Sequence, residues 1–423
     1  MKPFYYLILI SFLSTMSCKI KEYNTKISSN KTAAQILGNP AYQAISYGGY
    51  RHKTRDIQPS LPELKEDLKI MYAMGIRILR TYNVHLAEAS NLLQAIKELK
   101  TTDPTFEMYV MLGAWIDCKN AWTHLPVNHN EESENNEIEI QKAVQLANQY
   151  PDIVKIIAVG NEAMVKWATS YYVQPWVILK WVNFLQELKK EGQLHKEIWI
   201  TSSDNFASWG GGGHEYHVED LNKLIRAVDY ISMHTYPMHD THYNPEFWGI
   251  KKSEENFSDK KKVEVTMGRV LDYATHQYTS VINYMKSIGV HKPVHIGETG
   301  WATTSNEHYG HQGSKATDEY KSALYYTLIK EWSNKNKVSC FYFEAFDEQW
   351  KDSANPMGSE NHFGLITLQS KAKYALWDLV DQGVFKGLTR DGKPITKTFN
   401  GDINVLWKSV EMPPVLDSIK VYK

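Results

Sequence analysis

Two glutamates in this chain each follow a short apolar run and a glycine. One run reads Ala158-Val-Gly-Asn161-Glu162, the other His295-Ile-Gly-Glu298-Thr-Gly-Trp301. A carboxylate in that setting belongs at the end of a strand, not on an outer face. A single such glutamate could be a structural ion-pair partner. Two, from different strands, can divide the work of bond cleavage. One, protonated, gives its proton to a leaving oxygen; the other, ionised, attacks carbon. At a separation of about 5–5.5 Å, that is what retaining glycoside hydrolysis needs. Mutual repulsion helps to split the two pKa values in the required sense.

The elements that must carry these groups repeat one pattern. Apolar runs at 41–47, 76–82, 107–114, 153–159, 197–202, 228–234, 293–297 and 338–346 are rich in Ile, Val, Tyr and Phe, as strands are. Between them lie amphipathic stretches. Ser60-Leu-Pro-Glu63 reads as a capping box with proline in the first turn. Leu61, Leu64, Leu68 and Met71 then share a face. Ala89, Leu92, Ile96 and Leu99 form a second stripe, Val177, Trp181, Phe184 and Leu188 a third, and Tyr320, Leu324, Leu328 and Trp332 a late one. Eight such units make a (β/α)8 TIM barrel, with the active site at the strands' C-terminal ends. A doubly wound open sheet would need a Gly-rich phosphate loop after an early strand. The only glycine run, Gly210 to Gly213, follows the fifth strand and reads as a flexible loop beside the pocket. Residues 115–135, ending in EESENNE, and 235–262, ending in SDKKKVE, read as inserted, solvated loops.

Composition narrows the class. Lys plus Arg is 47 and Asp plus Glu 48, without the basic surplus of a nucleic-acid binder. Aromatic content of 12 %, with 13 Trp, excludes bulk disorder and suits a surface that stacks sugar rings. Trp115, Trp122, Trp167, Trp209, Trp301 and Trp350 fall just past strand ends, where some should line a groove. Trp176, Trp181, Trp199, Trp332, Trp377 and Trp407 read as packing residues. His234, His239 and His242 with Asp240 have metal-like spacing, but the first strand lacks the HxH of barrel metallohydrolases, so no metal and no cofactor is expected. Cys340 reads as a small buried hydrophobe.

GNE closing the fourth strand with GETGW closing the seventh resembles glycoside hydrolase family 17, the β-1,3-glucanases. ISYGGY (45–50), ILRTY (78–82) and FEAFDEQWK (343–351) are similar to the same family's motifs at other strand ends, so the resemblance spans about residues 41–370. It implies Glu162 as acid/base and Glu298 as nucleophile. It implies that Asn161 bonds the substrate 2-hydroxyl, that Tyr236 holds the nucleophile, that Tyr82 lines the pocket, and that Glu348 and Lys351 form a supporting pair. The bland alternatives are core tyrosines with satisfied hydroxyls and a local salt bridge. Ala302 and Gln349 depart from the family pattern, which has proline at both places. The activity implied is hydrolysis of laminarin-type β-1,3-glucan by a retaining endo-enzyme. A glucanosyltransferase would use the same site, and a non-catalytic glycan-binding lipoprotein is the rival from another class.

The N-terminus points to export. Lys2, the apolar run Phe4–Leu13 and the small residues before Cys18 form a signal peptide too short to span a bilayer. They resemble the cleavage box of bacterial lipoproteins, which implies residues 1–17 removed, Cys18 lipidated, and attachment to a membrane of the cell envelope. Residues 18–39 are expected to be a polar tether and 40–423 one monomeric catalytic domain.

Overall fold

The computed structural model describes residues 31–416. The leader and Cys18 lie outside the described residues. Eight parallel strands close into a barrel in simple sequential order: β1 (Gln43–Ser46), β2 (Ile76–Arg80), β3 (Tyr109–Ala114), β4 (Val154–Asn161), β5 (Trp199–Asn205), β6 (Ile231–His234), β7 (Val294–Gly300) and β8 (Cys340–Phe343). All eight coincide with the expected apolar runs, and β1 closes the ring against β8 through the register Ala44–Phe341.

Helices form the outer layer. The one over Leu61–Ala73 starts at the Ser60 capping box, where the Glu63 carboxylate accepts from Ser60 N at 2.8 Å. Leu64, Leu68 and Met71 are buried, as are Ala89, Leu92, Ile96 and Leu99 in the helix Ala87–Thr102. Burial of such side chains contributes about 1.5–3 kcal/mol each before conformational entropy is set against it. No helix among the described residues is long and apolar enough to cross a membrane.

Several expectations need correction. The stretch assigned to the tether does not stay loose as far as residue 39. Ala33–Ile36 is helical, and Ala33, Ile36 and Leu37 pack with Ala44, Ile78, Tyr109, Met111, Tyr230 and Phe341, sealing the N-terminal end of the barrel. Four residues are too few to show a helical period, so the sequence pattern could not reveal them. The late stripe is displaced: in Glu319–Asn336 the buried positions are Tyr320, Lys321, Ser322, Ala323, Tyr325, Ile329 and Ser333, while Leu324, Leu328 and Trp332 flank the core. Lys321 tolerates full burial because it pairs with Asp318 at 2.5 Å and donates to the Glu411 carbonyl at 2.6 Å. Phe184 is partly exposed, and Ile178, Val182 and Leu185 share its helix's inner face with Val177, Trp181 and Leu188. The SDKKKVE run is the start of a long helix, Asp259–Ser287, capped by Ser258. The glycine run is not a loose loop beside the pocket. Gly210 adopts φ +85°, and a Cβ there would meet the Tyr284 ring at 2.0 Å, so the backbone is pressed onto that helix.

Candidate active site

The site stands on the C-terminal ends of the strands. β4 overruns into a left-handed turn, with Gly160 at φ +83° and Glu162 at φ +46°. A Cβ on Gly160 would meet the Ala163 Cβ at 2.9 Å, so only glycine permits the turn that presents Glu162. Glu162 N donates to the Ser203 carbonyl at 3.0 Å, tying the turn to β5. In β7, a Cβ on Gly297 would strike Ser232 Oγ at 2.1 Å and Ser203 Oγ at 2.5 Å. Small residues on three neighbouring strands thus pack directly on one another beside the two glutamates.

Glu298 is buried among donors. Tyr236 Oη donates to its Oε1 at 2.5 Å and Tyr82 Oη to its Oε2 at 3.0 Å. The fully buried Arg80 donates to Oε2 with one arm and to the Asn161 amide oxygen with the other. With that oxygen taken, the amide NH2 is the end of Asn161 left to donate. Burial pushes the Glu298 carboxyl up, but the Arg80 charge, His234 and the Tyr236 and Arg80 hydrogen bonds pull it down to about 2.

Glu162 is driven the other way. Burial first, then the Glu298 charge, raise it to about 8, with Arg80 pulling against them. His234 Nδ1 lies 3.1 Å from Glu162 Oε1 and its Nε2 2.7 Å from Ser203 Oγ, which in turn bonds Ser232 Oγ at 2.9 Å. Burial holds His234 down to about 4, so near neutrality the ring is uncharged and Arg80 is the cation of the pair's surroundings. The arrangement is therefore a carboxylate ready to attack beside a carboxylic acid ready to donate.

Around this pair the remaining expected residues divide. Glu348 is buried, accepts from Tyr50 N at 3.0 Å and Trp350 Nε1 at 2.8 Å, and pairs with Lys351 at 3.4 Å. Lys351 is shared with Glu344, at 2.5 Å, and sits over the Phe343 ring. Trp350 is half-buried, edge-on to Tyr50 and under Arg55 at 4.2 Å. Trp115 is half-buried at the mouth, and Trp167 is 61 % exposed. Trp209 and Trp301 are corrections. Both are wholly buried; their indole N–H groups donate to the carbonyls of Ser232 and Ala316, and Trp301 packs on Trp248 and Tyr325. They are core residues because the chain turns inward after β5 and β7. Ala302 N donates to Met238 Sδ at 3.1 Å, a contact that proline at this position could not make.

Sequence reasoning missed Arg80, His234, Asp204, Glu344 and Glu360 as site residues. Arg80 lies inside a motif already singled out, and an arginine in an otherwise apolar strand was the available signal. Asp204 accepts from Met164 N at 2.7 Å and so holds the segment after Glu162; burial raises it to about 7. Glu360 faces His239 at 3.9 Å. The metal-like spacing of His234, His239 and His242 resolves into separate roles: His239 stacks on Tyr236 and His242 on His308.

The BtgE/BtgC glycoside hydrolase domain matches residues 44–364. A crystal structure of an endo-laminarinase from Formosa Hel1_33_131 is 66 % identical, with a TM-score of 0.91 over 93 % of this chain and 100 % of that one. A β-1,3-glucanosyltransferase from Rhizomucor miehei, at 17 % identity and a TM-score of 0.54 over 79 % of this chain and 96 % of that one, shares the fold. Among curated proteins, a glucan 1,3-β-glucosidase of Arthroderma benhamiae is 26 % identical over 63 % of this chain and 70 % of its own length. A putative glucan endo-1,3-β-glucosidase of Aspergillus niger is 22 % identical over 71 % of this chain but only 37 % of its own length. With two-carboxylate geometry and a domain match over most of its length, the chain belongs to the BtgE/BtgC glycoside hydrolase family.

Proposed function

We propose that the chain is a retaining endo-β-1,3-glucanase of glycoside hydrolase family 17 that cuts laminarin-type glucan by double displacement, as a monomer tethered to the cell envelope through lipid on Cys18. The opposite displacement of two neighbouring carboxyl groups carries the catalytic reading: Glu298 at about 2 and Glu162 at about 8. At neutral pH Glu298 attacks the anomeric carbon while Glu162 gives its proton to the departing glycosidic oxygen. The glycosyl ester cancels the Glu298 charge, the largest charge raising Glu162, so the Glu162 pKa falls. Glu162 is then suited to take a proton from the incoming water. Tyr82, Tyr236 and Arg80 keep the nucleophile in place throughout. The likeness to an endo-laminarinase supports β-1,3-glucan as the substrate, and the leader sequence supports the anchor.

Protein lacking its first 18 residues, given laminarin, cellulose and chitin, tests this reading. Short oligosaccharides of β-configuration should form from laminarin alone. EDTA should leave the rate unchanged, since the two carboxyl groups supply the chemistry. Equal rates on cellulose, or α-configured first products, would overturn it.

A further inference from the structure

The two segments that follow β3 and β4 are built into one surface. Cys118 N donates to the Tyr171 carbonyl at 3.1 Å. His129 stacks on Tyr172 with centroids 3.7 Å apart and meets its carbonyl at 2.8 Å. Glu132, at the end of the hairpin formed by Cys118–Lys119 and Asn128–Glu132, accepts from Trp181 Nε1 at 2.7 Å. The acidic run that reads as solvated loop is therefore a brace. Three rings gather on this scaffold: Trp122 stacks on Tyr171 at 5.1 Å and 23°, and Trp115 lies 5.3 Å from Tyr171 and 6.4 Å from Trp122. Between the two tryptophans the backbone is held by Asp117, whose N–H donates to the Asn136 amide oxygen at 3.1 Å and whose carbonyl accepts from Ser133 N at 3.0 Å. Trp122 is nevertheless 64 % exposed and held at φ +61°. A large ring kept on the surface in a left-handed backbone is an apolar face open to a flat ligand.

Its position gives the face a direction. β4 carries Glu162, and Tyr171 lies nine residues further on. The stretch of loop that bears Tyr171 comes back to the acid/base: Val173 N donates to the carbonyl of Ala163, the residue after Glu162, at 2.7 Å. The group that Glu162 protonates is the leaving sugar, so a chain passing the acid/base on that side is leaving-group chain. We propose that Trp115, Trp122 and Tyr171 form the leaving-group subsite of the cleft, a stacking platform for the glucose units released from Glu162's side. This rests on the β-glucan reading above and adds the residues that set how much chain beyond the cleaved bond is gripped.

The test compares two substrates in wild type, Trp122→Ala, Trp122→Phe and Tyr171→Ala. Laminarihexaose places sugars on both sides of the cleaved bond; 4-nitrophenyl β-laminaribioside places only the aryl group on the leaving side. Loss of one stacked face should lower the hexaose-to-aryl ratio of kcat/KM roughly three- to tenfold in both alanine variants. Trp122→Phe should restore most of the ratio. Because Trp122 is exposed, its removal leaves the core intact, and circular dichroism of each variant checks this for Tyr171. An unchanged ratio in both alanine variants, or an equal loss on both substrates, overturns the platform. Failure of the wild type to cut laminarihexaose would fall on the substrate reading instead, and the ratio could then be read on whichever glucan it does cut.

Discussion

Arg80 bridges Glu298 and Asn161, one guanidinium joining the glutamate on β7 to the residue before Glu162 on β4. The ion pair is almost wholly buried, with 1 % and 9 % of the two side chains exposed. A single planar fork therefore sets the charge of one glutamate and the seating of the other's neighbour.

Replacing that fork should separate charge from geometry. Arg80→Lys keeps the cation but cannot reach both partners, and should lower kcat/KM on laminarin roughly 10- to 100-fold while moving the acid limb of the pH profile upward. Arg80→Met leaves a buried, unpaired carboxylate and should cost about 3–5 kcal/mol of stability by denaturant unfolding. An acid limb unmoved in Arg80→Lys would mean that geometry does not matter to the Glu298 pKa.

The roles of the two glutamates can be separated by stereochemistry. Glu162→Ala should lose about 10²–10⁴-fold on laminarin, and less on an activated aryl substrate. Azide should rescue it with a β-glycosyl azide as product. Azide acting on Glu298→Ala should give the α-azide. A β-azide from Glu298→Ala would exchange the assignments.

The pH profile follows from the two shifts. Activity needs Glu298 ionised and Glu162 protonated, so kcat/KM should fall on the alkaline side near the raised Glu162 value of about 8. In Glu298→Gln the repelling charge is gone, and Glu162, followed by carbon-13 NMR of its carboxyl, should titrate lower. Stability carries the same sign. The raised folded-state pKa of Glu162 disfavours the fold increasingly as pH rises from the ordinary glutamate range, about 4.5, towards 8. Glu162→Gln should therefore raise Tm at pH 8 more than at pH 5, and an equal gain at both would contradict the shift.

Trp209 gives a control of the opposite kind. As a wholly buried ring it should act on folding: Trp209→Ala should cost about 3–5 kcal/mol, with KM on laminarin unchanged for the fraction that folds. A higher KM with unchanged stability would return it to the groove.

The anchor is checked by fractionation. Wild-type protein should collect with membranes and Cys18→Ala with the soluble fraction; equal partitioning of both would remove lipidation of Cys18.

The barrel and the placing of Glu162 and Glu298 in its mouth were legible because strand ends impose a linear code: apolar run, glycine, carboxylate. Asn161, Tyr82 and Tyr236 also stand at strand ends, but it was the likeness to a family's motifs that singled them out; the structure brings Asn161 to Arg80 and both hydroxyls to Glu298. The tryptophans were not. Position just past a strand is shared by Trp167, which points outward, and Trp209, which turns into the core, and only the path of the following loop separates them. His234 was noticed for its spacing to His239, whereas its role comes from Ser203 and Glu162, on strands distant in sequence. Glu344 was hidden by Glu348, since Lys351 could be paired with either.

The short helix Ala33–Ile36 has a bearing on how the enzyme would meet its polymer. The chain enters the folded body at the sealed end of the barrel, while the glutamates open at the other. A glucan strand laid across the two glutamates therefore meets neither the entering chain nor the short helix, and the cleft rim is left to the loops that follow the strands.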